Sequence, residues 1–203
     1  MAKPPLTPES NESEICLNCG FCCDGTLFPN AVSGPGETAE SFIAIGLTPT
    51  EGSPGEKSGF SLPCPHFAGL CTIYASPRPW ICGAFRCRLL RSVERGKYTV
   101  TQAQQIVHET KAMRETLRPV LDAMHADAVA ADAGADTRNR SLLRRLQVVI
   151  GMLVRPEAGQ FRDKYGKLLP TVLHLTSRLN DDFLPKPLRE KKDYQNISNA
   201  ADQ

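Results

Sequence analysis

The chain has 203 residues, of which 41% are hydrophobic, 6% aromatic and 23% charged, with a formal net charge of +2. A balance this close to neutral gives no electrostatic footprint for nucleic acid, and no apolar run approaches the roughly 18 residues of a membrane-spanning helix. The low aromatic content leaves a lean core, which small cysteine-rich modules commonly reinforce with metal or disulfides.

Residues 1–14 are rich in Pro, Ser, Asn and Glu and predict a disordered leader. They carry neither the apolar stretch nor the cleavage site of a secretory signal, which places the expected protein in the cytoplasm. In that reducing compartment clustered thiols are expected to be metal ligands rather than disulfides. The first cluster follows at once, as Cys16-Leu17-Asn18-Cys19-Gly20-Phe21-Cys22-Cys23, with Gly20 where the backbone must turn.

Residues 25–63 hold seven glycines and five prolines and predict a long connecting loop. Within it the patch Phe42-Ile43-Ala44-Ile45 fits a short strand or a single helical turn, and composition does not choose between them. Residues 64–87 bring Cys64, Cys71, Cys82 and Cys87. Leu70–Tyr74 is a candidate strand, and Arg86 to Arg95, stopped by Gly96, is a candidate short helix.

From Thr101 the pattern becomes helical. Ala103, Ile106, Val107, Thr110, Met113, Leu117, Val120, Leu121 and Met124 recur at three- and four-residue intervals, with Thr101 as the expected N-cap. Pro119 should kink this helix or begin a new one, and Gly134 separates it from the next. There Leu142, Leu143, Leu146, Val149, Ile150 and Leu153 form an apolar stripe that ends at Arg155-Pro156. A last helix from about Pro170 to Phe183 should turn Val172, Leu173, Leu175, Leu179 and Phe183 inward. The expected fold is mainly α with an irregular cysteine-rich, metal-bound N-terminal module and little β. Its organisation is a leader (1–14), a cysteine-cluster metal-binding module (15–100), a helical region packed on it (101–184) and a flexible tail (185–203).

All eight cysteines, Cys16, Cys19, Cys22, Cys23, Cys64, Cys71, Cys82 and Cys87, are candidate metal ligands. Two thiolates separated by two residues reach one metal when the backbone between them turns tightly, a spacing shared by zinc knuckles and iron–sulfur sites. Here the spacing is extended to a third cysteine, as at the opening of a bacterial ferredoxin ligand run. Side chains of adjacent residues diverge. Cys22 is therefore expected to complete a local set of three and Cys23 to turn toward a second centre, giving two four-ligand sites that each draw on both halves of the chain. Arg78 and Arg86 are close in sequence to the thiolates, where their charge would offset that of the site, and for Arg86 an ordinary surface arginine is an equal reading.

Other features read more plainly. His66 stands two residues after Cys64 but is expected to be exposed or hydrogen-bonded, and His108, His125 and His174 have no partner at metal-ligand spacing. Tyr74 and Trp80 are expected to cover the cluster, and Arg138, Arg140, Arg144 and Arg145 to form a solvated helix face. No phosphate-binding glycine loop, dinucleotide fingerprint or zincin helix is present, and no residue stands out as catalytic.

The ordered pattern Cys-x2-Cys-x2-Cys-Cys, then Cys64-Pro65, Cys71-Thr72-Ile73-Tyr74, Arg78-Pro79 with Cys82, and Phe85 with Cys87 resembles the CxxCxxCC family. This is the zinc- or iron-chelating domain also called the YkgJ-type cysteine-cluster family, and the resemblance covers about residues 15–90. It implies zinc or an iron–sulfur cluster, with 4Fe–4S the leading form, because relatives are labelled Fe–S oxidoreductases and a flagellin lysine-N-methylase carries a similar cluster. Two functions follow as expectations. One is an iron–sulfur protein with a redox or group-transfer role. The other is a structural zinc module whose helices form a protein interaction surface without catalysis. The expected partners are metal ions and a protein or redox partner, with neither nucleic acid nor membrane among them.

Overall fold

The computed structural model describes residues 11–52, 58–131, 141–155 and 159–185. Among the described residues helix accounts for 61% and strand for 6%, so the fold is mainly α with little β. Residues 1–10, Gly134, Arg138, Arg140 and the tail from residue 186 lie outside the described residues. Among the described residues no helix is long and apolar enough to cross a membrane.

The first cysteine cluster is the end of a helix and the turn after it. Helix α1 spans Asn11–Cys19 and so takes in the last residues expected to belong to the leader. Ser13 and Ile15 are buried on it, against α4 and α5 described below. Gly20 then turns the chain out of the helix at φ 72°.

The stretch expected to be a connecting loop builds a small sheet. Strands β1 (Asn30–Val32), β2 (Pro49–Thr50) and β3 (Gly59–Ser61) lie antiparallel in the order β1-β3-β2, with Ala31 opposite Phe60 and Pro49 opposite Phe60. A Cβ at Gly59 would fall 1.8 Å from the Ala31 carbonyl oxygen, so only glycine lets the strands approach at that register. The apolar patch in this segment forms helix α2 (Ala39–Ala44), started by a capping box in which Thr38 and Ser41 satisfy each other's amides. Phe42, Leu47 and Phe60 make a small core there, the two rings 5.2 Å apart.

Leu70–Tyr74 does not form a strand. The segment is a series of turns with one isolated bridge between Phe67 and Cys71. Two short helices follow, α3 (Trp80–Ala84) and α4 (Arg88–Glu94), the latter ending before Gly96 as its sequence predicts.

Helix α5 runs from Val100 to Ala131. Its N-terminus is set two residues earlier than predicted, because Thr99 Oγ1 accepts from the Gln102 amide at 3.2 Å while Gln102 Oε1 accepts from the Thr99 amide at 2.9 Å. The helix continues through Pro119 rather than restarting there. An interior proline costs a helix about 3 kcal/mol, and here the flanking Leu117, Leu121 and Met124 are all buried in the main core, which holds both halves in line. Helix α6 (Leu142–Val154) buries the predicted stripe through Leu143, Leu146, Val149 and Leu153, together with Met152. Helix α7 (Gly159–Tyr165) is not anticipated by the sequence pattern and buries only Phe161 and Tyr165. Helix α8 (Leu169–Arg178) carries Pro170 in its first turn and passes into a π-helical turn, Leu179–Phe183. Val172, Leu175, Leu179 and Phe183 face inward as expected, but Leu173 is 44% exposed. These helices close the main core, in which each fully buried leucine or phenylalanine contributes roughly 1.5–3 kcal/mol.

Candidate metal centre

The structure places the eight cysteines around the junction of the small sheet, the turn segment and the helices. Cys16 and Cys19, three residues apart, lie on one face of α1, and both pack with Cys22 against the main core. Cys87 joins them from the second half of the chain. It is buried, 9% exposed, and is the N-cap of α4, where its Sγ accepts from the Leu90 amide at 3.4 Å.

Cys23 links the two cysteine segments through its backbone. Its carbonyl accepts from the Cys64 amide at 2.7 Å, which binds the end of the first cluster to the start of the second. Cys64 packs on the small core of Phe42, Leu47 and Phe60. Cys71 sits at the bridge with Phe67, and Cys82 lies on α3. Cys82 is the one exposed member of the eight.

Electrostatics sort the thiols in the same way. Burial, then the neighbouring Cys87, pushes Cys16 up to about 12, opposed by Arg86 and Arg78. Burial holds Cys19 and Cys22 well above the ordinary thiol range, and the thiols that add to it are Cys87 and Cys16 for Cys19, and Cys19, Cys87, Cys23 and Cys16 for Cys22. Cys23 is also raised by burial, but its leading neighbours are Cys82, Cys64 and Cys71. Burial, then Cys64, takes Cys82 up to about 12, so protein surrounds its sulphur although part of the residue is exposed. Cys64 is raised by burial and by Cys71. By their leading neighbours the thiols fall into two foursomes, Cys16/Cys19/Cys22/Cys87 and Cys23/Cys64/Cys71/Cys82, which also act on each other, Cys23 on Cys22 and Cys16 on Cys23.

Among the described residues no group of three or more His, Cys, Asp or Glu side chains is gathered closely enough to close on one metal ion. The foursomes are therefore neighbourhoods of thiols, not finished coordination shells. Their donor chemistry nevertheless fits a thiophilic metal or an iron–sulfur cluster. All eight cysteines are free thiols, and burial opposes the thiolate at seven of them. A bound cation reverses that penalty and drives the protons off.

The charges expected beside the thiols are present. Arg78 stacks its guanidinium 3.8 Å from the centre of the Tyr74 ring and donates to the Tyr74 carbonyl at 2.8 Å. Its charge favours the thiolate of Cys16 in one foursome and of Cys82 in the other. Arg86 is buried, donates to the Gly83 carbonyl and pairs with Glu94 at 3.2 Å. His66 is held by a hydrogen bond from its ring Nε2 to the Ile45 carbonyl, which accounts for it without a metal.

Several residues that position the cluster give no sequence signal. Phe21, 0% exposed, lies between Cys19 and Cys22 and packs edge-on against Phe183 with ring centres 4.9 Å apart. Arg114 on α5 pairs with Asp24 and donates to Thr26 Oγ1 at 2.9 Å, with its guanidinium 5.2 Å from the Phe21 ring centre. The first amides of α6, at Leu142 and Leu143, donate to the carbonyls of Gly25 and Thr26 at 3.0 and 2.9 Å, meeting the need of unpaired helix-start donors. These contacts join residues about 90 to 160 positions apart, and only the folded chain reveals them.

Comparison of the chain with protein-family models, curated proteins and solved structures returned no match. The family resemblance carried by the cysteine spacing therefore stands on the residues alone.

Proposed function

We propose that the chain is a two-centre thiolate metalloprotein of the CxxCxxCC type, holding iron–sulfur clusters for electron transfer or in support of a redox or group-transfer enzyme. The observation that carries this reading is the way eight free thiols weigh on one another in two groups, each drawing on both parts of the cysteine set. The first foursome supports iron–sulfur chemistry in particular. It is a local Cys-x2-Cys-x2-Cys run completed by a remote cysteine, with the next cysteine in sequence given to the other centre. Two-cluster ferredoxins divide their ligands by the same logic. Cys16, Cys19, Cys22 and Cys87 would hold one cluster, and Cys23, Cys64, Cys71 and Cys82 the other.

When bound, such clusters supply one-electron chemistry at a potential set by nearby charge, hydrogen bonds and solvent. The chain's own contribution is to pack Cys16, Cys19 and Cys22 against the main core and bury Cys87, to donate the Leu90 amide to the Cys87 sulphur, and to set Arg78 and Arg86 against the thiolate charge. Metal analysis and visible spectroscopy of anaerobically purified protein test the proposal. The expected preparation is brown, contains iron and sulfide, and bleaches on reduction. A colourless protein with close to two zinc ions per chain would replace it with the structural zinc reading. A protein that retains neither metal would end both.

A further inference from the structure

Helix α4 presents a basic stripe to solvent. Its inward face is Leu89, Leu90 and Val93, which lie in the main core or pack against it. Arg88, Arg91 and the C-cap Arg95 are spaced i, i+3 and i+7, which puts them together on the other face. Lys97 follows just past the helix, held there by a hydrogen bond from its amide to the Ser92 carbonyl at 2.8 Å. Arg91, Arg95 and Lys97 are all exposed.

The fold makes little use of these three charges. Arg88 is anchored, donating to the Asp181 carbonyl at 2.7 Å. Glu94, the one carboxylate on the helix, is taken up by the buried Arg86 at 3.2 Å. Among the described residues no carboxylate pairs with Arg91, Arg95 or Lys97, and the Lys97 ammonium lies over the Tyr98 ring at 5.0 Å. The helix dipole favours a cation at this end. Like charges three and four residues apart repel and weaken a helix, so the dipole does not account for the whole stripe.

The rest of the chain sharpens the contrast. Net charge over all 203 residues is only +2, and the described residues from Asn11 to Pro77 hold six carboxylates, Glu12, Glu14, Asp24, Glu37, Glu40 and Glu51, with no lysine or arginine. Helix α1, which carries Glu12 and Glu14, packs directly against α4. The positive charge is therefore a local patch with acidic ground beside it. A long, uniform polyanion such as nucleic acid would run onto that ground, whereas a compact acidic patch on a protein fits the stripe alone.

We infer that the outer face of α4 is a docking surface for an acidic protein, with Arg91, Arg95 and Lys97 as its contacts. The helix is about 10 Å long and Cys87 is its N-cap, so a partner held on the stripe sits beside the first group of cysteines. The assignment rests on exposure and charge, and it stands whether or not the thiols hold metal.

The test uses the full chain under reducing conditions, with fluorescently labelled poly-L-glutamate as the probe of an acidic protein surface. Binding is expected at low ionic strength and weakens as salt passes about 0.1 M, where the screening length falls to about 10 Å. Arg91→Glu combined with Arg95→Glu should weaken it about tenfold or more. A control of equal charge change, Arg118→Glu with Arg144→Glu on α5 and α6, should leave it within about twofold. Absence of binding, an equal loss from the control, or tighter binding of double-stranded DNA or of phosphatidylserine vesicles at equal charge concentration overturns the proposal. Amide NMR of the wild type with the same probe needs no variant to fold: the largest shifts are expected within residues 88–98, and largest shifts elsewhere overturn it as well.

Discussion

Cys22 and Cys23 are joined by one peptide bond, yet the thiols that weigh most on each differ, Cys19 and Cys87 on Cys22 and Cys82, Cys64 and Cys71 on Cys23. An expectation that adjacent side chains diverge can be read from the sequence because it follows from backbone geometry alone. The remote partners of each were not, because nothing in the spacing says which of Cys64, Cys71, Cys82 and Cys87 returns to which half. Cys87 is the clearest case, since its role as the cap of α4 depends on where that helix starts. The same residues make a pH prediction for the reduced, metal-free protein. Burial raises the Cys16 thiol from 9.0 to about 12 and lifts Cys19 and Cys22 in the same direction. Such thiols ionise more readily in the unfolded chain than in the folded one, so they favour folding fully below about pH 9 and progressively less as pH rises toward 12. Urea unfolding of the metal-free protein should therefore show a falling midpoint above about pH 9, and a midpoint that holds or rises there would contradict the assigned burial.

At the scale of elements, the turn after α1 depends on a single glycine. Gly20 has φ 72°, and a Cβ there would lie 2.0 Å from the Phe67 ring. Gly20→Ala should cost about 1–2 kcal/mol for the left-handed backbone and more for displacing Phe67, which packs the second cysteine segment onto the first. Thermal unfolding of the variant should show a clear loss of stability, and a wild-type Tm would show that the turn is set by something else. Elements with a strong period, α5, α6 and α8, were readable because a long apolar stripe has one solution. The small sheet was not, because strands of two or three residues carry no period and Gly59 is read in isolation as loop. Helix α7 escaped for the same reason, with two buried residues in seven. The start of α5 was misplaced at Thr101 because Thr99 and Thr101 are both acceptable caps, and only Gln102 reaching back to Thr99 decides between them.

Across the whole molecule, a large helical core and a small sheet-based one meet at the cysteines. Phe183 on Phe21, Arg114 on Asp24 and the α6 amides on Gly25 and Thr26 tie the first cluster to the large core without any metal. The sheet and the turn segment have no comparable apolar mass. Metal removal should therefore raise amide hydrogen exchange most in residues 58–84, while α5, α6 and α8 keep their protection. Uniform loss of protection across the chain would mean that the helical core also depends on metal. The central claim is the division of eight thiols into two centres, and it is tested most directly by the metal content of Cys22→Ser and Cys23→Ser beside the wild type, all prepared anaerobically. Each substitution should remove about half of the bound metal and leave the other half in place. Loss of all metal from either variant, or of none, would contradict two separate centres.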